Sequence, residues 1–127
     1  MSATTYLKSF FHQLGEVVHE LVEMFPDDPD FKMFKTFLGI TQKTNPTMII
    51  DGFHEYVTSK HEAEIDARNE DFFLNYAVQD YESSTIDIIG KIKTYWTSLS
   101  AGSKDVMWQY IYILKELTKR YKASSSA

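Results

Sequence analysis

Between Tyr6 and Phe25 the apolar residues Leu7, Phe10, Leu14, Val17, Val18, Leu21, Met24 and Phe25 fall three or four positions apart. That spacing lines one face of an α-helix. Thr4 or Thr5 caps its start, and Pro26 ends it, because proline disfavours helical geometry in the residue before it. Asp28-Pro29-Asp30 restarts the chain: Asp28 accepts from a free first-turn amide and Pro29 takes the first helical position. The helix that follows carries Phe31, Phe34, Phe37 and Leu38. The same device at Asn45-Pro46 predicts a third helix over residues 46–58, with Asn45 as its cap and Ile49, Ile50, Phe53, Tyr56 and Val57 on its apolar side.

From Ser59 to Arg68 the chain is polar, and only Ala63, Ile65 and Ala67 are available to a core. It reads as a loop or a weak helical extension. Asn69-Glu70-Asp71 ahead of Phe72-Phe73-Leu74 has the cap and acidic first turn of a short helix. Ser84, with Asp87 in place of the usual Glu, has the form of a capping box and opens a helix carrying Ile88, Ile89, Ile92, Tyr95, Trp96 and Leu99. Ser100-Ala101-Gly102-Ser103 breaks it, and Ser103 caps a last helix ending near Lys122. No segment alternates as a strand does. The expected fold is all-α: a compact single-domain bundle of five to six helices over residues 1–122, followed by a disordered Ser-rich tail over 123–127.

A chain of 127 residues suits one hydrophobic core. With 43% hydrophobic and 24% charged residues it belongs with globular rather than disordered chains. The absence of cysteine excludes a disulfide framework, a thiolate zinc site and a cysteine nucleophile. Met1 to Tyr6 lacks the basic and apolar runs of a secretory leader. No stretch approaches the roughly 20 apolar residues that span a bilayer. A soluble, cytoplasmic protein is expected.

Charge changes the picture more than composition does. Residues 1–87 hold sixteen acids against six Lys or Arg, a balance of -10, whereas residues 88–127 hold seven Lys or Arg against Asp105 and Glu116, a balance of +5. Two accounts follow from this split. The two parts neutralise each other inside one fold, or they form a bipolar surface suited to ordered contacts with copies or neighbours.

Candidate chemistry is sparse. Glu16-x-x-His19 has the spacing used by di-iron bundles, and Asp51-x-x-His54 is a looser version. At about 100° per residue, however, His12, Glu16, His19 and Glu23 share an arc opposite the apolar stripe of their helix, which makes them a solvated face with His12/Glu16 and His19/Glu23 pairs. The cluster Asp27, Asp28, Asp30 lacks the ordered spacing and closing Glu of a calcium loop and reads as capping. There is no Gly-rich phosphate loop, nucleophile elbow or zinc-protease helix. No catalytic, cofactor-binding or metal-binding residue is assigned.

The last helix offers one surface. A core stripe of Val106, Met107, Tyr110, Ile113, Leu114, Leu117 and Tyr121 leaves Trp108 and Tyr112 on the other side, with Lys104, Lys115 and Lys119. Trp and Tyr often anchor interfaces, and lysines favour acidic partners. The alternative is a helix buried on both sides, with Trp108 packed under the segment of Tyr95 and Trp96. Single-stranded nucleic acid is disfavoured by the acidic total and the lack of an Arg-rich stripe.

The segment Lys93-Thr94-Tyr95-Trp96, followed by Trp108-Gln109-Tyr110-Ile111 and Leu114, resembles the end of small helical proteins encoded by large double-stranded DNA viruses of algae and protists. The Asn45-Pro46 helix start and Asp71-Phe72-Phe73 fit the same resemblance, which touches about a third of the chain. It implies a protein of the infected cytoplasm or the virion and carries no catalytic residues over. The expected function is a non-enzymatic interaction or assembly protein, a minor structural or virion-associated component that binds itself or a larger protein through the Trp108/Tyr112 face. Two alternatives stand beside it: a host-directed regulator binding a peptide helix in an apolar groove walled by the Phe-rich second helix, and a metal-dependent enzyme using the two histidine pairs.

Overall fold

In the computed structural model, residues 2–72 and 88–125 are described. Ser2 opens helix α1 (Ala3–Met24) by accepting the Thr5 amide at 3.3 Å, two to three residues earlier than the predicted threonine cap. The helix ends ahead of Pro26, as predicted. Asp28 then accepts the Asp30 amide at 3.0 Å, with Pro29 at the first position of α2 (Pro29–Thr44).

Helix α3 (Met48–Phe53) starts later than predicted, and Thr47 stands at its cap without a side-chain bond. Asn45 is engaged otherwise. Its amide closes α2 on the Thr41 carbonyl at 2.8 Å, and its own carbonyl accepts from Met48 at 3.3 Å. After α3 the chain widens into a π-helical turn, His54–Thr58, and continues as α4 (Ser59–Asp66), with a kink at His61 (φ -131°, ψ 15°). The polar stretch after Ser59 is therefore helical, anchored by buried Ile65. Asn69 caps the next turn as expected, accepting the Asp71 amide at 3.0 Å. The expectations for Phe73, Leu74, Ser84 and Asp87 lie outside the described residues.

Helix α5 (Ile88–Tyr95) tightens into a 3-10 turn, Trp96–Ser98, and Leu99 is extended. Helix α6 (Ala101–Ser125) begins before the predicted Ser103 cap: Ser100 Oγ accepts the Ser103 amide at 3.1 Å, so Ser100 is the cap and Gly102 lies inside the helix. The helix also continues through Ser125, past the predicted end near Lys122. No strand occurs among the described residues, and the fold is all-α.

Helix α6 packs along α1 and also against α3, the π turn and α4, while α2 packs on α1. The shared core includes Phe10, Leu14, Leu21, Phe31, Ile50 and Met107. Phe10 meets Phe53 edge-on at 5.7 Å, tying α1 to α3. On α6 the periodicity reading needs correction. Met107, Trp108, Ile111, Leu114, Lys115 and Thr118 face inward, whereas Val106 and Ile113, assigned to the core, are exposed. At about 100° per residue, the buried face is turned by roughly a quarter turn from the apolar stripe. On the face so turned, two polar residues, Lys115 and Thr118, find partners inside, and Trp108 packs on Trp96 and Phe72.

Candidate functional site

The five residues predicted to form an aromatic and lysine face on α6 are not brought together as an open surface. Trp108 is only 5% exposed. Its ring meets Trp96 edge-on at 5.4 Å and lies tilted against Phe72 at 6.2 Å, which is the packing under the Tyr95–Trp96 segment given above as the alternative. Lys104 pairs with Glu70 at 3.3 Å and sits 5.3 Å over the Trp96 ring. Lys119 bonds Glu62 at 2.5 Å. Tyr112 remains outward at 45% exposure, with the Lys115 ammonium 4.5 Å from its ring centroid.

Lys115 is the centre of this region. Its side chain is 2% exposed, and its ammonium lies 2.6 Å from Asp66, 3.2 Å from Glu116 and 3.4 Å from Glu62. Burial pulls the ammonium toward neutrality, but hydrogen bonds to Asp66 and Glu116 outweigh it and hold the pKa above the ordinary lysine value. A catalytic lysine needs the opposite shift, toward a free amine near neutral pH. Lys119 in turn holds the Glu62 carboxyl below its usual range. Beside this cage, Thr58 in the π turn and Thr118 on α6 share a buried hydrogen bond of 2.8 Å. Thr118 also donates to the Lys115 carbonyl at 2.7 Å. The inward polar residues of α6 are thus satisfied, as buried polar groups must be.

The histidine pairs take up separate tasks. His12 and Glu16 approach to 4.0 Å and His19 and Glu23 to 3.6 Å on the outer face of α1, the pairs expected from spacing. Asp51 bonds Lys122 at 2.7 Å. Burial, then the Lys122 charge, lowers the His54 pKa against opposing pulls from Asp51 and Glu62. Among the described residues, no three His, Asp or Glu side chains come together to hold a metal ion. No described helix is long and apolar enough to cross a membrane.

A second charged cluster fixes α5 to the bend between α1 and α2. Lys91 bridges Asp28 at 3.0 Å and Asp30 at 2.8 Å, and the Tyr95 hydroxyl donates to Asp28. The Tyr95 ring stacks on Phe25 at 4.1 Å. The Tyr95 bond, opposed by burial and aided by Lys91, holds the Asp28 carboxyl below its ordinary value of 3.8. A carboxyl depressed in the folded state stabilises the fold above its unfolded pKa, and this stabilisation is lost as pH falls through the folded value. Tyr95→Phe should therefore lower stability most above about pH 4, where Asp28 is ionised in both states, and progressively less as pH falls through the folded value. Urea unfolding of both proteins across that range tests this: a stability difference independent of pH would separate Asp28 from the effect.

The acidic-first, basic-last split is largely resolved inside the fold. Late cations meet early acids in Lys91 with Asp28 and Asp30, Lys104 with Glu70, Lys115 with Glu62 and Asp66, Lys119 with Glu62, and Lys122 with Asp51. One early cation, Arg68, reaches Asp105 at 2.5 Å in the reverse sense. The late lysines are thus engaged with their own chain. The large apolar side chains left exposed among the described residues are Val106, Tyr112 and Ile113 on α6, and Met33 and Ile40 on α2. Sequence reasoning missed Val106 and Ile113 because it placed them in the core. Met33 and Ile40 did carry a signal, lying seven apart and off the line of Phe31, Phe34 and Leu38. Phe34, Phe37 and Leu38, the expected wall of a peptide groove, pack against the protein's own core.

No family model, curated protein or solved structure matches the chain, so the resemblance to viral helical proteins gains no support from them.

Proposed function

We propose that this protein is a non-enzymatic interaction module that binds another protein through the outer face of α6. The observation that carries the proposal is that Val106, Tyr112 and Ile113 stay between 37% and 45% exposed along the longest helix. Val106 and Ile113 lie two turns apart on one edge of that face, and Tyr112 lies on the other. Between them Asp105 holds Arg68 and Gln109, and Glu116 holds Lys115. The face is therefore apolar at its edges; between them Asp105 and Glu116 are neutralised and Arg120 adds an exposed charge, which favours a largely apolar helix or strand edge over the strongly acidic partner suggested by the lysine count. The resemblance to viral proteins would make that partner another virion or infected-cell protein.

The test is the double variant Val106→Asp/Ile113→Asp. Its melting temperature and helical circular dichroism should stay close to those of the parent, because exposed substitutions usually change stability by about 0.5 kcal/mol or less. A partner that co-purifies with the parent from its native source should be lost. Retention of that partner by the folded double variant would refute the assignment to this face.

A further inference from the structure

Once the internal ion pairs are drawn, two helix faces each keep three exposed charges of one sign. On α2, Lys32, Lys35 and Lys43 are exposed, and none makes an ion pair among the described residues. The acid of that helix, Asp30, is taken by Lys91. The same helix carries the two most exposed large apolar side chains among the described residues, Met33 at 58% and Ile40 at 57%. On α1 the outer face presents Glu16, Glu20 and Glu23, which have no lysine or arginine partner; Glu16 and Glu23 have only the exposed histidines His12 and His19 beside them.

Among the described residues, three lysines on α2 thus lack an acidic partner and three glutamates on α1 lack a lysine or arginine. The spacings also agree. At about 1.5 Å per residue, Lys35 to Lys43 spans about 12 Å and Glu16 to Glu23 about 10.5 Å, each close to two turns.

We infer that this protein self-associates, the outer face of α2 in one copy (Lys32, Lys35, Lys43 with Met33 and Ile40) docking on the acidic outer face of α1 in another. Charge complementarity selects the second copy as occupant, since the missing half of each pair is carried by the same chain at matching spacing. Removal of Met33 and Ile40 from water adds apolar area at the edge of the contact. This surface is separate from the α6 face and does not depend on its assignment.

Sedimentation velocity of the full chain tests the inference, run at low salt and again near 1 M salt, where the Debye length falls to about 3 Å. The parent should associate at low salt and dissociate at high salt. Lys35→Glu/Lys43→Glu and Glu16→Lys/Glu23→Lys should each weaken self-association on the order of tenfold or more, because attraction becomes like-charge repulsion. An equimolar mixture of the two variants should associate again. Circular dichroism confirms that both stay folded, as substitutions on exposed faces permit.

A parent that remains monomeric at low salt overturns the proposal. So does self-association that survives both charge reversals but disappears in Val106→Asp/Ile113→Asp, which would move the contact to α6. Vesicles containing anionic lipid provide a further arm: lysine-dependent vesicle binding by a monomeric parent would assign α2 to a lipid surface and exclude the second copy.

Discussion

Replacing Trp108 by Ala is expected to destabilise the fold by about 3–5 kcal/mol, the usual cost of deleting a large aromatic side chain from a packed core. Its ring is wedged between Trp96 and Phe72 and so joins α6 to the turn after α5 and to the segment beyond α4. No small rearrangement of one helix fills that space. Against a typical total of about 5–15 kcal/mol, the loss would lower the melting temperature by about 10 °C or more. Tyr112→Ala, on the same helix but 45% exposed, should cost about 1 kcal/mol or less. Thermal melts of the two variants side by side decide the matter. Equal and small effects would mean that Trp108 is a surface residue after all.

The second large effect concerns the Lys115 cage. Glu62→Gln combined with Asp66→Asn removes two of the three carboxylates around an ammonium whose side chain is 2% exposed. Removing the partners of a buried charge typically costs about 3–5 kcal/mol, whereas replacing the whole group by apolar side chains is often neutral. The double variant should therefore lose about 3 kcal/mol, toward the lower end because Glu116 remains. Adding Lys115→Met to it should recover most of that loss. Chemical denaturation of the parent, the double and the triple variant gives the comparison. A triple variant no more stable than the double would show that the carboxylates act through something other than Lys115.

That cage also explains how far the sequence could be read. Helix α1 was legible, because its apolar stripe and its outward histidine pairs are local consequences of helical spacing. The Asp28 cap and the stop before Pro26 were legible for the same reason. The phase of α6 was not. An apolar periodicity count treats Lys115 and Thr118 as outward, and it does not show the distant Asp66, Glu62 and Thr58 that, with the local Glu116, partner them inside. The turned helix carries Trp108 inward onto Trp96 and Phe72 and leaves Val106 and Ile113 outward, so one rotation, held by long-range contacts, underlies the errors in the predicted face. The polar stretch after Ser59 stood open between a loop and a weak helical extension, and the helix rests on the burial of Ile65 and on acids that serve α6. The uneven distribution of charge was plain from the outset, but which acid meets which base depends on packing.

The π turn at His54–Thr58 gives this part of the chain a tolerance to length that its composition does not reveal. A π turn holds one residue more than an α-helix needs to cover the same path. Loss of any one codon there would let α3 and α4 join as regular helix, with α4 close to its present phase, because the residue lost is the one the widened turn absorbs. Glu62, Ile65 and Asp66 would still face α6. Loss of a codon in the regular helix of α3 would instead turn all three away by about 100°. Lineages of this protein should therefore tolerate loss of one residue within the turn more readily than loss of one in the helix before it, which makes the turn a slack link between two halves of the same rod.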